Sequence, residues 1–242
     1  DIVCPDAKEL VKQDGVKVLD VGCAKGFWLE SVRMANPFGE YHGVDIAENL
    51  ASEPEKSGQN NITIKFGNVL ERLPYEDNAF DYVHQRLLVL GMPKERFPDA
   101  LRELIRVTKP GGWIELVESD MMLYDSGPYS KIFRAAFLDA LQARGLDCYA
   151  ATNLEYYASQ VAANVSNQGV TTVILPTHED TPLGRLSERN GKIGLLGLED
   201  WLHKSMNITR EEYRELIENC FTEFLEYNSY GLARALYFQV VK

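Results

Sequence analysis

Positive charge is scarce in this sequence. Its 242 residues hold 25 Lys and Arg against 36 Asp and Glu, a formal net charge of −11. Proteins that bind nucleic acid draw most of their affinity from phosphates neutralised by a basic face. Lys and Arg are scattered here, so neither nucleic acid nor an anionic membrane surface is an expected partner. Long apolar runs are also missing. A spanning helix needs about 18 or more consecutive apolar residues, and none is present. The cysteines Cys4, Cys23, Cys148 and Cys220 are far apart, so neither a zinc-ligand spacing nor a disulfide framework is read, and no metal site is expected. Reduced thiols in a cytosolic or nuclear compartment are the expectation. No signal peptide, internal repeat or low-complexity tract is visible. What remains is ordinary globular composition, 45% apolar and 25% charged. The length suits one large α/β domain, or one carrying a helical insertion.

The first half alternates short apolar runs with helical patterns. Val16–Val21 reads as a buried strand, Phe27–Met34 as a helix, and Tyr41–Ile46, Ile62–Phe66 and Asp81–Val83 as further strands. Pro98–Thr108 has helical apolar spacing at Leu101, Leu104, Ile105 and Thr108, and Lys109-Pro-Gly-Gly112 breaks it before a fifth strand at Trp113–Val117. Strands alternating with helices imply right-handed crossovers and a parallel sheet. After Glu118 the pattern changes. Residues 129–144, 153–167 and Arg210–Tyr227 read as helices, 180–200 as a glycine-bearing loop, and Gly169–Leu175 and Leu236–Val241 as two closing strands. The expectation is a single domain over 1–242, with 121–167 and 180–232 as insertions forming a helical cover over the site.

The strongest chemical signal is Val18-Leu-Asp-Val-Gly-Cys-Ala-Lys-Gly-Phe-Trp28, a strand that runs into a glycine turn and then a helix. Gly22 permits a tight turn, Gly26 permits close backbone approach, and the helix start offers free N–H groups to a polar ligand. Asp20 ends the strand and can fix the turn or catch an ammonium group. Taken alone, the turn is equally a structural strand-to-helix connection. Asp45 sharpens it: a carboxylate at the end of the second strand, about 20 residues on, can accept both ribose hydroxyls of a nucleotide. Its bland alternative is an exposed acid that caps a helix. Phe66-Gly-Asn-Val69 ends the third strand.

With these elements in place the chain resembles the class I S-adenosylmethionine-dependent methyltransferases over about residues 14–120. The string ALRELIRVTKPGGWIELVE is similar to their small-molecule branch. FDYVHQRLLV is similar to the same segment of fungal LaeA-type methyltransferases, which are linked to secondary metabolism. The resemblance implies a doubly wound, seven-stranded, mostly parallel sheet of Rossmann-like type with helical cover insertions, and S-adenosyl-L-methionine as cofactor. It also implies that Asp20, Gly22, Cys23 and Gly26 line the methionine and ribose portion. Asp45 would hold the ribose, Ile46 would pack on adenine, Asn68 and Val69 would border the adenine edge, and Gln85 and Arg86 would lie beneath the cofactor. Asn68 stands where the family often has Asp.

Methyl transfer needs an aligned nucleophile, excluded water and, for a protonated acceptor, a base. His84 after the fourth strand and Glu118 and Asp120 after the fifth are the candidates. Their plainer readings are a histidine bonded to backbone, and solvated or capping acids. His178 and His203 carry no distinguishing signal. Tyr124, Tyr129, Tyr149, Tyr156 and Tyr157 line an apolar acceptor pocket or simply pack the insertions. No Asn/Asp-Pro-Pro-Tyr segment follows the fourth strand, which disfavours amide and base N-methylation. The expected acceptor is a small organic molecule, with O, N, S or C attack left open. Two alternative readings fit the same sequence. One is a regulatory protein that keeps the fold and works through protein partners. The other is a nicotinamide oxidoreductase, which fits poorly: the turn reads G-C-A-K-G and no Tyr-x-x-x-Lys occurs.

Overall fold

The computed structural model describes residues 2–50, 61–88, 90–120, 122–177 and 181–241. His178, and Val89 of the FDYVHQRLLV string, lie outside the described residues. The elements in chain order are α1 (Pro5–Leu10), β1 (Lys17–Val21), α2 (Phe27–Ala35), β2 (Glu40–Asp45), β3 (Ile62–Phe66), β4 (Phe80–Arg86), α3 (Phe97–Val107), β5 (Thr108–Ser119), α4 (Pro128–Gln142), α5 (Ala150–Ser159), β6 (Val165–Pro176), α6 (Pro182–Gly197), α7 (Glu199–Ser205), α8 (Arg210–Glu226) and β7 (Tyr230–Val240).

The strands form one seven-stranded sheet in the order β3-β2-β1-β4-β5-β7-β6. The pairs β1·β2, β1·β4, β2·β3 and β4·β5 are parallel. The strand order reverses between β1 and β4, and ligands of open α/β sheets bind in the crevice at such a point, beyond the strands' C-terminal ends. The glycine turn after β1 and the end of β4 meet that position.

Alternation along each strand builds two apolar layers. Leu19, Val21, Val83, Ile114 and Leu116 join α3 residues such as Leu101 and Leu104, and α5 residues Leu154 and Tyr157, on one face. Val18, Tyr41, Tyr82 and Trp113 join α1 and α2 through Ala7, Trp28 and Leu29 on the other. Strands buried on both faces are what a parallel sheet requires. Each fully buried large side chain contributes about 1.5–3 kcal/mol.

Two compact units divide the chain. The first is residues 1–118, 153–171 and 234–242; the second is 119–152 and 172–233. The second is mostly helical, with Phe133, Phe137, Leu141, Leu202, Tyr213, Ile217 and Phe224 at its centre. Thr209 and Glu212 form a reciprocal capping box at the start of α8. The Glu223 carboxylate accepts from the Tyr129 and Ser130 N–H groups, both at 3.0 Å, and so caps α4 from a neighbouring helix.

Several local expectations are corrected. Residues 180–200 are not a loop: α6 spans Pro182–Gly197, started by Thr181, whose hydroxyl accepts from the Gly184 N–H at 2.9 Å, with Pro182 just inside. Gly194 and Gly197 have nothing within 4 Å of a built β-carbon, while Leu195 and Leu196 pack on the helical core, and that packing outweighs the helix cost of glycine. The Lys109-Pro-Gly-Gly112 segment ends α3 as expected, but it forms a bulge inside β5. Phe80 pairs with Thr108 and Tyr82 with Trp113, so the four residues 109–112 lie opposite Asp81. Lys109 Nζ meets Asp81 Oδ1 at 2.7 Å, and a β-carbon on Gly112 would lie 2.8 Å from the Asp81 carbonyl oxygen. The helix expected over 153–167 ends at Ser159, and β6 already begins at Val165.

Candidate functional site

The glycine turn is built from left-handed backbone at Gly22 (φ 74°), Ala24 (φ 47°) and Gly26 (φ 74°). Only glycine adopts this region freely, so Ala24 carries strain of roughly 1–2 kcal/mol. The Gly22 and Cys23 N–H groups donate to the Val44 carbonyl at 2.8 and 3.2 Å, which ties the turn to β2. The Ala24 N–H donates to Asp45 Oδ2 at 2.9 Å, and the Ala47 N–H donates to Asp45 Oδ1 at 3.0 Å. Asp45 therefore joins the turn directly to the end of β2. Each of its oxygens has accepted one hydrogen bond and can accept another.

The other expected residues fall into place unevenly. Cys23 is buried, and desolvation followed by the charges of Asp20 and Asp45 pushes its thiol up to about 12, so it is no nucleophile. Ile46 is 63% exposed beyond β2, and Phe66 is exposed at the end of β3. Asn68 Oδ1 accepts from the Leu70 N–H at 3.0 Å, its amide points to Glu71 at 3.4 Å, and Val69 packs partly on the sheet core. Gln85 is 0% exposed: its Nε2 lies 3.5 Å from Glu118 Oε1, and among the described residues its Oε1 has no hydrogen-bond partner. A buried acceptor of this kind asks for a donor. Arg86, one residue on, is exposed.

Neither expected base stands where a base was expected. His84 does not follow β4; it lies inside the strand, 1% exposed, because β4 runs on to Arg86. Its Nδ1 is 2.8 Å from Asp20 Oδ1, and its ring stacks on Trp28 at 3.9 Å and 3°. Glu118 is 0% exposed, and its Oε1 accepts from the Leu88 N–H at 3.0 Å, so it holds the segment after β4. Asp120, in the helical unit, accepts from the Tyr124 hydroxyl (2.9 Å), the Thr152 N–H (3.1 Å) and the Thr152 hydroxyl (2.7 Å). Burial and that Asp120 bond push the Tyr124 hydroxyl up to about 12. Tyr157 stacks on Phe97 in the sheet core and Tyr156 is tilted against it, while in the helical unit Tyr124 stacks on Tyr230; Tyr129, Tyr149 and Tyr156 are exposed. His203 Nδ1 pairs with the Ile208 carbonyl within its own helical region. Among the described residues no group of three or more His, Cys, Asp or Glu gathers to hold a metal ion, and no helix is long and apolar enough to cross a membrane.

Trp28 and Leu88 belong to this site and were not singled out from the sequence. A β-carbon on Gly22 would lie 2.5 Å from Leu88 Cδ2, so the segment after β4 closes directly on the turn. The signal for Trp28 was its place in the first turn of the helix after Gly26. The signal for His84 was the alternation that continues past Val83.

A glycine turn bound to a strand-end acid, at the switch point of a sheet ordered 3-2-1-4-5-7-6, defines the Rossmann-like fold of class I methyltransferases. Residues 18–112 match the family described as a methyltransferase domain. The demethylmenaquinone methyltransferase of Staphylococcus aureus (strain JH9) is 36% identical over 118 residues, which cover 46% of this chain and 46% of that protein. The chain thus spans about half the length of the curated relatives it matches. Among solved structures, Haemonchus contortus phosphoethanolamine N-methyltransferase 2, in complex with S-adenosyl-L-methionine, superposes over 98% of this chain and 52% of its own, with TM-score 0.60 and 15% identity. The [4+2]-cyclase SpnF superposes over 98% of this chain and 79% of its own, with TM-score 0.57 and 20% identity. At these identities the likeness concerns the fold.

Proposed function

We propose that the chain is an S-adenosylmethionine-dependent methyltransferase acting on a small organic acceptor. The observation that carries the reading is Asp45, which binds the backbone of the glycine turn and keeps acceptor capacity on both oxygens at the switch point. A dihydroxy ribose is the ligand group that fits such a carboxylate. The unpartnered Gln85 Oε1 and the left-handed glycines that keep the turn free of side chains fit a ligand lying across it. Asp20, Gly22, Cys23 and Gly26 would face the amino-acid and ribose portions, Ile46, Asn68 and Val69 the base, and Gln85 and Arg86 the underside.

When bound, the cofactor supplies an activated methyl group with its thioether leaving group. The chain's own contribution is alignment and exclusion of water. Exposed Ile46 and Phe66 offer an apolar wall beyond β2 and β3. His84 and Glu118 are both buried, which favours acceptors that need no strong base or that carry their own. The match of residues 18–112 to the methyltransferase domain supports methyl transfer, and the net charge of −11 favours a small molecule over a polyanion. The link to secondary metabolism and fungal relatives rests on the FDYVHQRLLV string alone.

Calorimetric titration with S-adenosylhomocysteine, beside NADH, tests the reading. Micromolar binding of S-adenosylhomocysteine only is expected. Asp45→Ala should weaken it by roughly 30-fold or more, the worth of a doubly hydrogen-bonded carboxylate. Absent binding would refute the cofactor assignment and move the partner-protein reading ahead.

A further inference from the structure

Three polar side chains cross the sheet at one register. Asp20 on β1 is the partner of His84 on β4, and His84 is the partner of Glu115 on β5. All three are buried, at 4%, 1% and 0% exposure, in the layer that faces α1 and α2. Carboxylates so deep cost several kcal/mol unless each is compensated by hydrogen bonds or a partner. Glu115 is compensated from the N-terminal segment: its oxygens accept from the Val3 N–H at 3.1 and 2.9 Å and from the Cys4 N–H at 2.7 Å. Asp20 has a different source. Its Oδ1 is bonded to His84 Nδ1 at 2.8 Å, and among the described residues its Oδ2 takes no hydrogen bond. A carboxylate only accepts, so Nδ1 carries the hydrogen and donates it.

The imidazole cannot turn away from this task. One face lies flat on the Trp28 indole, at 3.9 Å and 3° between planes, and Trp28 is the second residue of α2, just after the Gly26 cap. His84 therefore ties together the end of β1, the body of β4 and the first turn of the helix that follows the glycine turn. A ring with one nitrogen committed, one face covered and 1% exposure has no route to an acceptor's proton.

We infer that His84 is a positioning residue for ligand binding: its Nδ1–H fixes the Asp20 carboxylate so that Oδ2 serves as the acceptor for a cationic amino group on the ligand. This rests on the S-adenosylmethionine reading above, whose amino-acid portion carries such an ammonium group. His84 acts through Asp20, and its contribution appears in affinity for the amino-acid end of the ligand.

The test compares two ligands that differ in that end. S-Adenosylhomocysteine carries the amino-acid chain, and 5′-methylthioadenosine keeps the nucleoside but lacks the ammonium. In the full chain, His84→Phe keeps a ring on Trp28 and removes the donor, whereas His84→Asn restores an N–H donor. His84→Phe should weaken S-adenosylhomocysteine about tenfold, in line with one hydrogen bond to a charged group. Methylthioadenosine should change less than about threefold on the same grounds, and His84→Asn should recover most of the loss. Equal loss for both ligands would make the imidazole a packing element only, and no loss for either would remove it from binding; each overturns the inference. Should His84→Phe fail to fold, His84→Leu gives the same decision, because it too removes the donor and leaves the Asp20 carboxylate in place. Selective loss of S-adenosylhomocysteine binding supports the inference, and uniform loss or none overturns it. If the unaltered chain binds neither ligand, the cofactor reading itself has failed. If it binds both and the variants behave alike, only the role of His84 has.

Discussion

Replacing Gly22 by Ala separates two effects that the structure superposes. The first is backbone strain. Gly22 stands at φ 74°, where a side chain costs about 1–2 kcal/mol. The second is packing. The new β-carbon would lie 2.5 Å from Leu88 Cδ2 and 2.9 Å from its Cγ. Leu88 has little room to yield. Its N–H is held by Glu118 at 3.0 Å, its carbonyl accepts from the Gly91 N–H at 2.8 Å, and its side chain packs partly on the sheet core. Overpacking such a contact costs about 1–3 kcal/mol. The sum is about 2–5 kcal/mol, or roughly 4–20 °C in midpoint at 2–4 °C per kcal/mol for a chain of this size. Gly15 supplies the control, since it stands at φ 71° with nothing within 4 Å of a built β-carbon. Gly15→Ala should therefore show the backbone effect alone, roughly 2–8 °C. Thermal and urea unfolding of the two variants side by side measures the difference. Equal midpoints would refute the claim that Leu88 closes on the turn.

Other expectations follow from single contacts. Glu115→Gln should destabilise the fold by about 2 kcal/mol and speed amide hydrogen exchange at Val3 and Cys4, because their charged acceptor becomes neutral; unchanged exchange at those two amides would contradict the anchoring role. Glu223→Ala should cost about 2–3 kcal/mol by orphaning the Tyr129 and Ser130 N–H groups, with the loss of protection confined to the start of α4. The Cys23 thiol, pushed from its ordinary 9.0 up to about 12, keeps its proton in the folded chain where an unfolded chain loses it. Stability should therefore fall as pH rises from about 9 to about 12, and Cys23→Ala should flatten that slope in urea midpoints measured across the range.

The centre of the sheet was legible because β1 and β4 are short runs buried on both faces, whereas β3 and β6 at its edges are largely exposed. The glycine turn and Asp45 were legible because few residue types tolerate a left-handed turn or end a buried strand with a charge. Local pattern failed where long-range packing decides. The glycines of α6 suggest a loop until Leu195 and Leu196 are seen against the helical core. Lys109-Pro-Gly-Gly112 suggests a turn between elements, but opposite Asp81 it is a bulge within a strand. His84 suggests a base because the apolar run Asp81–Val83 ends just before it. Its burial depends on Asp20 and Trp28, far away in sequence, and no spacing within β4 announces either.

The transverse row of Asp20, His84 and Glu115 also bears on how the strands find one another. Strands that are apolar on both faces tell one alignment from another only weakly. Here a slip of one residue between β1 and β4 would turn His84 away from Asp20 and leave a carboxylate alone in an apolar layer. A like slip between β4 and β5 would move Glu115 from the side where the Val3 and Cys4 amides wait. The polar row thus acts as an alignment mark for three central strands. Misaligned sheets are penalised during assembly, before any ligand is present.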